Sequence, residues 1–168
     1  MPYILPLDLA KRPGARELAQ VATREDAPIV DDALMEATLR GQDRAAWSAE
    51  QLAAADDALE RIVDATVEAS SVIDGMVGKR YPLPLVNSPL VTGWARSIAR
   101  YLLHKGRTSM DKDSVIVRDY DNAMRLLGMV ADGRMNLGEP APGVPVSTDV
   151  RFGGDAPVFS RRQLRAFR

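Results

Sequence analysis

The sequence predicts a mainly α-helical protein, a small helical bundle with a long central helix and an extended C-terminal tail. Over about residues 49–79, apolar residues recur every three or four positions, which is the spacing of one helix face. Capping residues, prolines and glycines divide the flanking sequence into shorter helices. From Glu139 onward, four prolines and three glycines interrupt any periodicity. We therefore assign residues 1–138 to one helical domain and residues 139–168 to the tail.

The first fifty residues predict three short helices. Pro6 and Asp8 suit a first helical turn, because proline loses no needed hydrogen bond there and an early carboxylate favours the helix dipole. Pro13-Gly14 ends this helix, and a second helix is predicted over residues 15–21. The pair Asp31-Asp32 supplies the cap of a third helix.

The central helix has the strongest periodic signal in the chain. Ser48 and Gln51 form a Ser-x-x-Gln capping box at its start. A continuous helix over residues 49–79 would be about 45 Å long, which exceeds the ~30 Å diameter of a small domain. Either part of it contacts another subunit, or it is kinked or broken and packs within one domain. Its inward stripe is formed by Leu52, Ala55, Leu59, Ile62, Thr66, Ala69, Ile73 and Met76.

A proline-containing turn separates the central helix from two further helices. Pro82 and Pro84 exclude helix, so the chain leaves the central helix in extended form, with Tyr81, Leu83 and Leu85 available for packing. Ser88-Pro89 then caps a helix that runs to about Lys105, and a last helix spans about Asp113 to Asp132, with Gly133 just beyond its end. The predicted structural turn consists of Arg80, Tyr81, Pro82, Leu83 and Pro84.

Charge is distributed unevenly along a chain whose net charge is only −1. The first 78 residues are acidic, and the remainder is basic. The carboxylates of the central helix lie off its apolar stripe. Their helical spacing is typical of a solvated face rather than of metal or acid/base pairs. They include Asp56, Asp57, Glu60 and Asp64.

Composition and motifs argue against several classes of function. The chain has no cysteine and one histidine, which removes disulfide frameworks, thiolate zinc sites and cysteine nucleophiles. No phosphate-binding loop, dinucleotide fingerprint, zinc-protease motif or nucleophile elbow occurs. His104 has no recognisable partner and is interpreted as a packing or capping residue. We therefore expect no enzyme, no cofactor and no metal. Apolar runs are short, so we expect no signal peptide and no membrane span.

The tail combines apolar anchors with arginines, and it cannot form a core alone. Two arrangements remain open: it folds back on its own domain, or it docks on another chain. The candidate partner-binding residues are Phe159, Arg161, Arg162, Leu164, Arg165 and Phe167.

Seven short motifs occur in order along the chain: Pro6-Leu7-Asp8-Leu9, Ile73-Asp74-Gly75, Arg80 to Leu85, Ile98 to His104, Tyr120 to Leu127, Gly133 to Gly138, and Phe159 to Phe167. Each motif is weak alone, but in this order they resemble the Mu-like head-tail adaptor family of tailed bacteriophages. The resemblance covers most of the chain. Residues 34–58 depart from it, because this segment is longer than the family pattern.

The resemblance implies a non-enzymatic virion protein of the neck, present in the host cytoplasm during assembly. Residues 1–138 would form the adaptor domain of a homo-oligomeric ring, expected to be about twelve-fold, and residues 139–168 a docking tail. The ring would contact the portal protein and the tail or neck proteins and enclose the channel used in genome ejection. Asp56, Asp57, Glu60 and Asp64 would face that channel, so that DNA passes without specific binding. The alternative is a small helical DNA-binding regulator that uses the basic C-terminal segment, although no helix-turn-helix pattern is present.

Overall fold

A computed structural model describes residues 2–86, 88–105 and 114–138 of the chain. Within these ranges it contains helices and no strand, which confirms the mainly α-helical class. The tail, with all six of its candidate docking residues, lies outside the described residues. The helices are α1 (Pro6–Leu9), an irregular helical turn (Ala10–Gly14), α2 (Ala15–Ala22), α3 (Asp32–Arg40), α4 (Ala49–Val77), α5 (Pro89–Lys105) and α6 (Val115–Ala131).

Local capping explains where the helices begin and end. The Asp31 carboxylate accepts hydrogen bonds from the backbone N–H groups of Ala33 and Leu34, at 2.9 and 3.2 Å, as its sequence position predicts. Ser48 and Gln51 form the predicted reciprocal capping box, with N–O distances of 3.0 and 3.3 Å. These bonds satisfy amide groups that the first turn of a helix leaves without partners.

The central helix is continuous. α4 runs from Ala49 to Val77 without a break, so the alternative of a broken helix is wrong. Its 29 residues give a length of about 43 Å at ~1.5 Å per residue. It packs against α1, α2, α3, α5 and α6. Ile62 and Ile73 of α4, Ile98 of α5 and Leu127 of α6 are completely buried in one core, and burying a side chain of this size contributes about 1.5–3 kcal/mol.

The turn after α4 is packed at both ends and exposed in the middle. Tyr81 and Leu85 are 3% and 6% exposed, whereas Leu83 is 46% exposed. Of the three side chains expected to be available for packing, Tyr81 and Leu85 are therefore buried, whereas Leu83 is not. The chain bends at Leu83 and Pro84, and this places the Leu83 side chain beside Gly78 at the surface.

No helix in the described ranges is long and apolar enough to cross a membrane. The same ranges contain no group of three or more acidic or histidine side chains able to hold a metal ion.

Candidate assembly surfaces

The four predicted channel-facing carboxylates lie on the solvent side of α4, but they are not equivalent. Asp56 is paired with Arg44 at 2.5 Å, and Asp57 is paired with Arg61 at 3.7 Å. Glu60 and Asp64 are exposed and have no ion pair with any residue that the structure describes. The carboxylates on this face that have no ion-pair partner in the described chain are therefore Glu60 and Asp64.

The same helix has an apolar edge that the sequence analysis did not identify. Val63 and Val67 are 39% and 50% exposed. They are four residues apart, so they are neighbours on one side of the helix, adjoining Glu60. The signal in the sequence is this pair of valines beside the buried stripe.

Tyr3 connects the N-terminal segment to α4 and to the turn that follows it. Its hydroxyl donates a hydrogen bond to the Asp74 carboxylate and accepts one from the backbone N–H of Leu85 at 2.9 Å. Its backbone N–H donates to the Ser70 hydroxyl at 3.0 Å. Burial, together with the hydrogen bond to Asp74, raises the pKa of Tyr3 to about 12. The hydroxyl is therefore protonated at any physiological pH.

The predicted structural turn is anchored by its first two residues. The Tyr81 hydroxyl donates to Asn136 at 2.9 Å and accepts a longer hydrogen bond from the Leu137 N–H at 3.4 Å. The Arg80 guanidinium occupies the space where Gly133 lacks a side chain. Arg80 and Tyr81 therefore hold the exit of α6 against the end of α4, and the tail begins at this junction. The other three residues of the turn, Pro82, Leu83 and Pro84, are exposed.

His104 has a partner that the sequence analysis missed. Its Nε2 atom lies 3.0 Å from Oε1 of Glu17, on α2, and Arg100 donates two hydrogen bonds to the same carboxylate at 2.5 and 2.7 Å. Burial acts to raise the pKa of Glu17, but the hydrogen bonds from Arg100 and His104 outweigh it, and the pKa is lowered. His104 therefore does have a partner, and this cluster joins α5 to α2.

A cleft of about 530 Å³ lies beside this cluster. Arg12, Arg96 and Arg100 line it, opposite Asp119. The Nε atom of Arg96 is buried and has no hydrogen-bond partner in the described part of the chain. Trp94, which also lines the cleft, is 5% exposed and belongs to the core, as its helical spacing predicts.

The described ranges thus form a small helical bundle. Comparison with known proteins then supplies the family. The family model described as "Bacteriophage Mu, Gp36" matches residues 3–152, and the chain belongs to this family. It is 35% identical over 102 residues to the Mu-like prophage FluMu protein gp36 of Haemophilus influenzae, which covers 60% of this chain and 67% of that protein. No solved structure matches the chain significantly.

The family assignment confirms the coarser part of the sequence resemblance: this is a Mu-like phage protein. The matched range ends at residue 152, before the terminal segment from Phe159 to Phe167. The role of that segment, the division at residue 138 and the expanded segment 34–58 stay predictions.

Proposed function

We propose that the protein is a head-tail adaptor, a structural and non-enzymatic virion protein that forms a ring between the portal and the tail. The ring would enclose the channel through which the genome passes. Membership of a Mu-like phage family supports a role in phage structure or morphogenesis. The finer assignment depends on how the surfaces of α4 suit a ring of identical copies.

The observation that carries the proposal is the exposed apolar edge of α4. Val63 and Val67 lie near the middle of a helix about 43 Å long, whose opposite face is already packed. In a closed ring each copy presents one surface to its neighbour and a different surface to the copy behind it. Val63 and Val67 would form the apolar centre of one such surface, surrounded by polar side chains.

Electrostatics support passage of DNA without binding. Glu60 and Asp64 lack counter-ions among the residues that the structure describes. Repeated around a ring, Glu60 would repel phosphates along the channel, while Asp56 and Asp57, which have ion-pair partners, would contribute less. Any binding of DNA to the isolated protein should therefore be weak, non-specific and sensitive to salt.

The test is Val67→Glu in the full chain, with Ala53→Glu as the matched control. Both residues are exposed on α4, about 21 Å apart at ~1.5 Å per residue, so neither change should unfold the bundle. We expect wild type and the control to form rings, alone or with portal, in negative-stain micrographs and in sedimentation. Val67→Glu should remain monomeric with an unchanged circular dichroism spectrum.

Rings that persist in Val67→Glu would refute the role of this edge. Wild-type protein that forms no ring with or without portal would refute the adaptor assignment. A footprint on a defined operator at physiological salt would instead support the regulator.

A further inference from the structure

A second groove lies between α2, the loop that follows it, α4 and α5. It is distinct from the cleft that Arg12, Arg96 and Arg100 line. Its volume is about 500 Å³. Apolar side chains from three helices line part of it: Val21, Ala65, Leu102 and Leu103. The rest of its lining is mainly acidic, with Glu25, Asp26, Asp64 and Glu68 beside Arg24 and Arg61. We refer to this feature as the acidic groove.

The two arginines of the acidic groove are already engaged. Arg24 donates two hydrogen bonds to Asp26, at 3.0 and 3.2 Å, and Arg61 is paired with Asp57. Three carboxylates, those of Glu25, Asp64 and Glu68, have no ion pair within the described ranges. A groove with apolar walls and three such carboxylates suits a segment that offers both apolar anchors and cations.

We infer that the acidic groove binds residues 156–168 of a second copy of this chain, an inference that rests on the proposed ring. In that segment Phe159, Leu164 and Phe167 provide apolar anchors. Arg161, Arg162, Arg165 and Arg168 provide four cations, enough to pair with all three carboxylates that have no ion pair in the described ranges. The family match ends at residue 152, so the family model does not cover this segment.

The length of chain between Gly138 and the tail anchors allows the tail to reach a neighbouring copy. The described chain ends at Gly138, beside Asn136, which Tyr81 holds near the end of α4. Asp64 lies about 20 Å back along α4 from Val77, at ~1.5 Å per residue. The 17 residues from 139 to 155 would span about 50 Å in the extended form that proline-rich linkers favour. A span of that length exceeds this rise of about 20 Å along α4, so the tail is long enough to reach the groove of the next copy in the proposed ring.

A charge-exchange experiment on the full chain tests the inference. The groove variant carries Asp64→Lys and Glu68→Lys, and the tail variant carries Arg161→Glu and Arg162→Glu. Each alone should weaken self-association by about a hundredfold, because like charges would face each other across the contact. An equimolar mixture of the two variants should recover assembly, since every groove then has an oppositely charged tail available on a neighbour. Asp121→Lys in α6 with Asp132→Lys just after it, both at exposed positions, controls for the change in net charge.

The outcomes separate the inference from the proposed function. Recovery only when all four substitutions are in one chain, and not in the mixture, would show that the tail binds its own subunit and would overturn the inference. Rings that persist in both variants would overturn it and leave the adaptor proposal intact. Wild-type chains that never associate would overturn both.

A second measurement uses the absence of cysteine from the chain. A chain with Leu103→Cys should form a disulfide with a separate chain carrying Leu164→Cys. A chain with Val115→Cys, on an exposed position away from the groove, should not. Equal cross-linking of both chains, or none with Leu103→Cys, would also refute the inference.

Discussion

Replacing Tyr3 by phenylalanine removes one hydroxyl group that links three segments of the protein. The ring remains, so the packing of a side chain that is 3% exposed is preserved. Two hydrogen bonds are lost: one to the Asp74 carboxylate and one from the backbone N–H of Leu85. A hydrogen bond to a charged group contributes about 1.5–3 kcal/mol, and the unsatisfied buried N–H adds a further penalty. We expect the free energy of unfolding at neutral pH to fall by about 2–4 kcal/mol.

The difference between wild type and Tyr3→Phe should depend on pH in a defined direction. The pKa of Tyr3 is about 12 in the folded protein, against an ordinary value of 10.0. The protonated hydroxyl therefore stabilises the fold fully below the unfolded pKa, and this stabilisation is lost as pH rises through the folded pKa. The difference between these two pKa values corresponds to roughly 3 kcal/mol. The gap between the two proteins should thus narrow from about pH 10 upward.

Urea unfolding followed by far-ultraviolet circular dichroism, repeated from about pH 8 to about pH 11, measures this gap. Tyr120→Phe is the control, because burial raises the pKa of Tyr120 too, while its main contact in the described chain is a stacked ring. That ring is Tyr101, with centroids 4.0 Å apart. The reasoning fails if Tyr3→Phe is as stable as wild type at neutral pH, or if the gap stays constant through the alkaline range.

Two further predictions concern the other junctions of the fold. The lowered pKa of Glu17 means that its carboxylate stabilises the fold above the ordinary pKa of 4.5, and that this stabilisation is lost as pH falls through the lower folded value. Glu17→Gln should therefore lower the free energy of unfolding by about 1–2 kcal/mol at neutral pH and by much less in acid. If denaturation curves show the same difference between wild type and Glu17→Gln at both pH values, this account of the contact with Arg100 is wrong. Gly133→Ala should cost more than Gly138→Ala, because both have positive φ (80° and 86°) but Arg80 occupies the Cβ position only at Gly133. The positive φ alone should lower the free energy of unfolding of each variant by about 1–2 kcal/mol, measured by thermal denaturation. Equal losses in the two variants would show that the contact with Arg80 contributes nothing.

The helices could be predicted from sequence because their signals are local. The capping bonds of Asp31 and of Ser48 with Gln51 each span two or three residues, so a short window contains all the information. The buried stripe of α4 follows equally from the period of a helix. Ile73, Ile98 and Leu127 are all fully buried because each occupies the apolar face of its own helix.

The junctions between helices could not be predicted in this way. Tyr3 and Asp74 are 71 residues apart, and His104 and Glu17 are 87 residues apart. Each of these residues is an ordinary polar side chain in its own segment, and only the packing of the helices brings the pairs together. The same holds for Arg44, which neutralises Asp56 across the connection between α3 and α4. The sequence therefore predicts an acidic face with four equivalent carboxylates. In the structure two of them, Asp56 and Asp57, have ion-pair partners.

Mutations on the two faces of α4 should have different effects: those on the inner face should affect folding, and those on the outer face should affect assembly. Much of the inner face is alanine, and Ala55, Ala58 and Ala69 are completely buried, so neighbouring helices approach closely and leave little room for larger side chains. Changes there should unfold the subunit before they affect assembly. On the outer face, Val63 and Val67 are only partly covered, with 39% and 50% of their surface exposed. Changes there cost little within one subunit, so a loss of assembly caused by such a variant reports on contacts between subunits rather than on folding.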